Sequence, residues 1–328
     1  MYRNRLMKGK RRSPSKIRLL VQVLFTALSN GYVKGLYEGR VFTGTSKYIC
    51  VPGLNCYSCP GALFSCPIGA LQQTLSGRGF KFSLYVAGFL VLFGTFLGRF
   101  TCGFLCPFGL LQDLLYKIPF LRRLSVRRTS KVSSRRSSES SENLFRSPSE
   151  KPSARSSVQS KAHFVRILSF LRYFILVVFV ILLPLFFVDI TGLGKPWFCK
   201  YICPAGTLEG GVPLVLFNTA MRSAAGFLFK WKLCILIAVL ILSMIVYRPF
   251  CRFICPLGAI YGLFNKISFI RYRVDNSRCT GCGACQKNCK MNIKVWKNPN
   301  SLDCIRCGEC REVCPEQAIK LASFRQKD

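Results

Sequence analysis

The stretches CTGCGACQKNC at 279–289 and CIRCGECREVCP at 304–315 decide how the C-terminal part of this chain folds. Each has the spacing CxxCxxCxxxC: Cys279, Cys282, Cys285 and Cys289, then Cys304, Cys307, Cys310 and Cys314, with Pro315 after the last. Three closely spaced thiolates suit three corners of a cubane, while the local helix carries the fourth cysteine to the other cluster. The expectation is two [4Fe-4S] clusters, one on Cys279, Cys282, Cys285 and Cys314, the other on Cys304, Cys307, Cys310 and Cys289. Structural zinc also uses CxxC pairs but needs neither the third cysteine nor the fourth at these spacings. RYRV at 271–274, IKVW at 293–296 and AIKLA at 318–322 lean toward strand, so the module reads as α+β.

Outward from this module the chain changes character. Half of its 328 residues are apolar and mean hydropathy is +0.30, which points to a membrane protein with a small soluble appendage. Against 13 acids stand 48 Lys and Arg, a net charge of +35 that calls for an anionic neighbour. The basic residues cluster in the first eighteen positions and in 121–163, each beside an apolar segment, as the positive-inside rule places them. Membrane lipid is therefore the expected partner, and nucleic acid is not. The single histidine, His163, reads as a solvated loop residue, which removes bis-histidine haem and His-based metal sites. With so few histidines and acids, no nucleophile and base constellation is present, so an electron carrier or oxidoreductase subunit is expected rather than a stand-alone enzyme.

Segments near 19–36, 82–100, 167–188 and 227–247 are apolar enough to consider as crossings. Four crossings put the basic N-terminus, the basic 121–163 loop and the C-terminal module on one side, the cytoplasmic face of a multi-pass cell membrane protein; three would break that agreement. The start reads as a signal anchor. Residues 121–163 hold fourteen serines and eleven Lys or Arg, a composition that buries too little surface to fold. The expected division is a basic cytoplasmic N-terminus (1–18), a first membrane half (19–120), a disordered cytoplasmic loop (121–163), a second membrane half (164–269) and the two-cluster domain (270–323). The expected fold class is an α-helical membrane protein of about four transmembrane helices, internally duplicated, with a C-terminal α+β two-[4Fe-4S] ferredoxin-like domain.

The duplication is visible in the cysteines. Arg99, Cys102, Cys106, Pro107, Gly109, Lys117 and Ile118 recur 149 positions later as Arg248, Cys251, Cys255, Pro256, Gly258, Lys266 and Ile267. Cys66, Pro67, Gly69 and Leu71 recur at an offset of 137 as Cys203, Pro204, Gly206 and Leu208. Both halves read as helix, outer cysteine motif, helix, inner cysteine motif.

GRFTCGFLCPFG at 98–109, PWFCKYICPAG at 196–206 and YRPFCRFICPLG at 247–258 share a CxxxCP core. Cysteines four apart share a helical face, and the proline stops the helix, leaving the thiols near a terminus. Cys102 and Cys106 are expected beside Cys251 and Cys255, four thiolates being the usual complement of a cluster. On the opposite face stand Cys50, Cys56, Cys59, Cys66, Cys199 and Cys203, with Cys59, Cys66, Cys199 and Cys203 as further redox or metal candidates. Disulfides and free thiols are the competing reading at both sets. Cys234, alone within the fourth span, reads as packing. Arg99 and Arg248 read as headgroup anchors, with an anionic or quinone-like ligand as the alternative, and Trp197 reads as an interfacial aromatic.

Residues 270–323 closely resemble the bacterial two-cluster ferredoxin family. They depart from it at Lys290, where the family usually has proline, and a cation beside Cys289 would raise that cluster's potential. The CxxxCP pairs with the tandem ferredoxin, about residues 50–323, resemble the membrane polyferredoxin family that includes the NapH-type, NosR-type and FixG or CcoG-type proteins. The resemblance implies membrane electron transfer with cytoplasmic ferredoxin domains, some members being proposed to take electrons from quinol. The expected function is an electron relay between a soluble cytoplasmic carrier and a quinone, an extracytoplasmic acceptor or partner oxidoreductase subunits. Alternatives are a maturation factor that reduces a metal or thiol during assembly of a respiratory enzyme, and a redox sensor signalling through the 121–163 loop.

Overall fold

The computed structural model describes residues 14–75, 83–118, 167–187, 194–223 and 225–322; the 121–163 stretch with His163, and most of the basic N-terminus, lie outside them. Two helices among the described residues are long and apolar enough to cross a membrane, Ile167–Phe186 and Phe227–Ile245. At 1.5 Å per residue each reaches about 30 Å, the thickness of a bilayer's hydrocarbon core. Most of their length is exposed, with Phe170, Phe174, Ile237 and Ile241 facing outward, as lipid contact requires and a soluble core does not. In the first, a π-helical stretch over Leu176–Leu182 runs into Pro184, which has no N–H to give and crowds the carbonyl four residues back.

The other two expected crossings fall short. Leu84–Leu97 is apolar but only 14 residues long. Pro14–Ser29 is 16 residues, buries Arg18 and Gln22, and stops before Asn30 and Gly31, with a separate short helix at Val33–Glu38. Of about four expected transmembrane helices, two therefore have the required length and composition.

The duplication is visible in the elements. Leu84–Leu97, Phe100–Phe104 and Pro107–Lys117 are answered by Phe227–Ile245, Pro249–Phe253 and Pro256–Phe264. Pro67–Leu75 is answered by the helical run that begins at Pro204 and ends at Phe217. One apolar core joins the two halves and takes in Cys66, Cys102, Cys106, Cys203 and Cys255 beside Phe108, Phe198 and Phe250. The two cysteine sets, expected on opposite faces, approach each other at one point. A Cβ on Gly53 would lie 3.2 Å from Cys106 Cα, so the loop carrying Cys56 backs directly onto the Cys106 corner.

In the C-terminal module Arg271–Val274 and Ile319–Ala322 pair antiparallel, Arg271 opposite Ala322 and Val274 opposite Ile319. IKVW at 293–296 is not the third strand the sequence suggested. Its Ile293 and Val295 are buried, but the backbone N–H groups of Val295, Lys297 and Asn298 donate to carbonyls of Ile293 and Lys294, so local turns take the donors a ladder would need.

Candidate iron-sulfur sites

Each Cys-Pro pair makes a corner. Cys106, Cys203 and Cys255 are extended caps, and the proline after each is the first helical residue, where a missing N–H costs nothing and φ is already set. The Cys255 sulfur accepts from Gly258 N–H at 3.4 Å, the hydrogen bond an N-cap oxygen would take. The CxxxC span is therefore a break between two helices, with its cysteines at the junction.

Two corners meet across the duplication. Arg99 reaches from the first half to donate to the Cys251 carbonyl at 2.8 Å, and Arg248 reaches back to the Cys102 carbonyl. The glycine three residues past each corner makes room. A Cβ at Gly258 would stand 3.0 Å from Arg99 Nη2, and one at Gly109 would stand 3.3 Å from Arg248 Cζ. Both arginines are fully buried, which corrects the reading of them as headgroup anchors. Cys102, Cys106, Cys251 and Cys255 lie near enough that a charge on one acts on the others. Gln112 donates to Cys251 Sγ at 3.3 Å, and Tyr261, at the repeat-equivalent position, is buried with an unpartnered hydroxyl. Four thiols with a spare buried donor fit a sulfide-rich cluster.

The arginines are themselves neutralised in parallel ways. Asp113 takes Arg248 Nε at 2.7 Å and Nη2, and Arg18 at 3.0 Å. The repeat position of Asp113 is Gly262, and the carboxylate there comes instead from the C-terminal module. Asp303 takes Arg99 at 3.3 Å and Arg172 at 2.6 Å, its Leu302 carbonyl lying 3.0 Å from where a Gly262 Cβ would be. The module is thus docked by a residue that fills a gap in the duplication. Asn265 adds donors to the Ser301 and Cys304 carbonyls at 2.9 and 2.8 Å, and Arg306 donates to the Leu97 and Asn265 carbonyls at 2.8 and 2.9 Å. Gly98, at φ +54°, leaves the room this junction needs, since a Cβ would meet Asn265 and Arg306.

Within the module, Cys279, Cys282, Cys285 and Cys314 line one small cavity with Trp296. Cys304, Cys307 and Cys310 each lie within electrostatic reach of Cys289. Both loops wrap alike, with Gly281 and Gly283 matched 25 positions on by Arg306 and Gly308, all four at positive φ. Burial pushes the Cys304 thiol up to about 11 and Cys310 to about 12, so loading iron there must release protons. Among the described residues no three such side chains converge closely enough for a single ion; tetrahedral zinc needs sulfurs about 3.8 Å apart. The Lys290 cation expected beside Cys289 does not stand there alone. Its ammonium meets Glu309 at 2.5 Å and its charge is offset there.

Of the remaining candidates, Cys66, Cys199 and Cys203 line a cavity of about 370 Å³. Cys59 does not join them, because its thiol donates to the Glu209 carbonyl at 2.9 Å. Cys56, which the candidate set omitted, lines the cavity instead. Cys50 is buried but does not line that cavity, and Cys234 lies exposed on the Phe227–Ile245 helix.

Cysteine corners paired across a duplicated helical core, with a two-motif cysteine module docked on them, define a ferredoxin-type iron-sulfur protein of the electron-transfer class. Residues 64–85, 82–128, 171–212 and 231–273 match the Fer4_5 family, a 4Fe-4S binding domain, and 299–320 match Fer4, also a 4Fe-4S binding domain. A protein of Methanocaldococcus jannaschii with no assigned function is 29% identical over 73% of this chain and 78% of its own length. The ferredoxin-type protein NapH of Haemophilus influenzae is 33% identical over 24% of this chain and 32% of its own. The methylamine utilization ferredoxin-type protein MauN of Paracoccus denitrificans is 31% identical over 26% of this chain and 31% of its own. No solved structure matches. The chain belongs to the 4Fe-4S polyferredoxin family.

Proposed function

We propose that this protein is an integral membrane electron relay, carrying single electrons between a soluble cytoplasmic carrier at the C-terminal module and a quinone or an extracytoplasmic redox partner. The module binds two [4Fe-4S] clusters, one through Cys279, Cys282, Cys285 and Cys314, the other through Cys304, Cys307, Cys310 and Cys289. A third is held by Cys102, Cys106, Cys251 and Cys255. Bound clusters supply reversible one-electron chemistry. The protein's own residues fix their order and keep water out.

The observation that carries this reading is the contact between the two parts. The carbonyl of Ile305, between Cys304 and Cys307, lies 2.5 Å from where a Cβ on Gly103 would be, and Gly103 sits between Cys102 and Cys106. A cysteine loop of the module thus rests directly on a corner of the helical core, giving a continuous path. The two long, exposed apolar helices support placement in a bilayer. A carrier can reach the module from the side bearing Cys282, which is exposed. Burial of Cys203, Cys251 and Cys255 favours relay over a maturation role, since a dithiol reductase must offer its thiols to a partner.

The test is the anaerobically purified protein carrying Cys251→Ala. It is expected to lose about four iron atoms, keep both ferredoxin-type signals, and stop passing electrons from a reduced soluble donor to quinone or an extracytoplasmic acceptor. Unchanged iron content and unchanged transfer would overturn the proposal.

A further inference from the structure

The 137-residue offset that aligns Cys66 with Cys203 also aligns Cys199 with Ala62, so the first half lacks the leading cysteine of its outer motif. By motif arithmetic that site has three thiols. The structure assigns it a fourth: we propose that Cys56, Cys66, Cys199 and Cys203 hold an additional [4Fe-4S] cluster, with Cys56 supplying the thiolate absent at Ala62. This rests on the reading that the CxxxCP cysteines hold clusters, and adds a ligand set to it.

Three features place Cys56 as the structural mate of Cys199, and a fourth shows that the Ala62 backbone keeps the matching position. First, both line the same cavity as Cys66 and Cys203, and its roughly 370 Å³ is about a dozen water volumes, far more than a lone ion fills. Second, the glycines after the two Cys-Pro corners face them crosswise. A Cβ on Gly206 would lie 2.9 Å from Cys56 Sγ, and one on Gly69 would lie 3.9 Å from Cys199 Sγ.

Third, the residue six past each corner holds the other half's cysteine segment. Gln72 accepts from Phe198 N–H at 3.1 Å and donates to Cys199 Sγ at 3.4 Å. Glu209, its repeat equivalent, accepts from Cys56 N–H at 2.9 Å. Fourth, Lys232 donates to the Cys199 carbonyl at 3.2 Å, and Lys47 donates to the Ala62 carbonyl at 2.7 Å. The backbone symmetry survives at Ala62 although the thiol now arrives from six residues earlier.

The same construction appears at the Cys102 site, which makes this cavity its twin. CPIGALQ at 66–72 repeats as CPFGLLQ at 106–112, and Gln112 donates to Cys251 Sγ as Gln72 does to Cys199 Sγ. Arg99 and Arg248 occupy at that site the role that the two lysines have here, donating to cysteine-segment carbonyls. At the Cys56 site the two lysine ammonium groups lower the cost of an anionic cluster in an apolar core. No disulfide joins any of the four cysteines. The two sites are neighbours, since Cys56 is only three residues, at most about 10 Å of chain, from Gly53 at the Cys106 corner.

Iron and acid-labile sulfide are counted in the full-length protein purified without oxygen, as wild type and as Cys56→Ala, Cys59→Ala and Cys251→Ala. About 16 iron atoms are expected in the wild type. Cys56→Ala and Cys251→Ala should each lose about four, and Cys59→Ala none. A wild type near 12 that falls to about 8 in Cys251→Ala overturns the Cys56 site while leaving the relay standing. No loss in Cys251→Ala is the failure of the relay instead. Because Cys56→Ala could compromise folding, a second measurement uses the wild type alone: anaerobic unfolding with a chelator and an alkylating reagent, read by mass spectrometry. Four alkylated thiols at Cys56, Cys66, Cys199 and Cys203 are expected; a disulfide involving Cys56 overturns the proposal.

Discussion

Arg248 shows how much one residue can hold. It precedes Pro249, which disfavours the right-handed helical region, and it adopts the left-handed φ +50° and ψ 56°. Its guanidinium is fully buried, paired on two edges with Asp113, and still donates to the Cys102 carbonyl across the duplication. Arg→Lys is not conservative here, because the three donors of a single ammonium nitrogen cannot span both Asp113 oxygens and the Cys102 carbonyl as the planar guanidinium fork does. Arg248→Ala leaves Asp113 buried with only Arg18 and Gln22, and is expected to cost about 3–5 kcal/mol, read as a lower melting temperature in detergent together with loss of the Cys102-site iron. Arg248→Lys should recover little of either. In the sequence, Arg99 and Arg248 stood out through their repeat but read as surface anchors. Spacing cannot reveal that each guanidinium crosses to the other half.

At the scale of elements, the repeated unit is a helix that ends, a cysteine corner, and a second helix started by proline. The sequence made the corner legible through Pro at the first helical position, a local requirement, whereas the Gly three residues past the cysteine recurs because the other half's arginine or cysteine packs against it. The strands at 271–274 and 319–322 were legible for the same reason, whereas IKVW was misleading because its alternation reflects burial in turns. The junction of helical core and module depends on Gly103. Any side chain there meets the Ile305 carbonyl, a backbone atom that cannot swing away. Gly103→Val is expected to push the module off its seat, leaving all cluster iron in place but abolishing magnetic coupling between the module and the Cys102 site in reduced EPR spectra. Retained coupling would show that the contact is not the path.

Across the whole molecule, the duplicated core and the module are locked by complementary departures from symmetry. Gly262 stands where the first half has Asp113, and Asp303 of the module enters that gap to meet Arg99 and Arg172. Asp303→Asn is expected to leave two buried arginines short of a counter-charge and slow electron transfer from module to core about tenfold or more, while the module's own iron content stays unchanged. Stopped-flow oxidation of the pre-reduced module measures this directly; an unchanged rate would place the coupling elsewhere. The sequence by itself determined the tandem ferredoxin-type motifs, the duplication and the membrane-like composition, because each is written in local spacing or in residue counts. Only the tertiary structure decided that Cys56 rather than Cys59 joins Cys66, Cys199 and Cys203, that the arginines cross, and that Asp303 completes the second half. Those meetings depend on how loops of different length fold back on a shared core, and no periodicity in the chain records where such a loop returns.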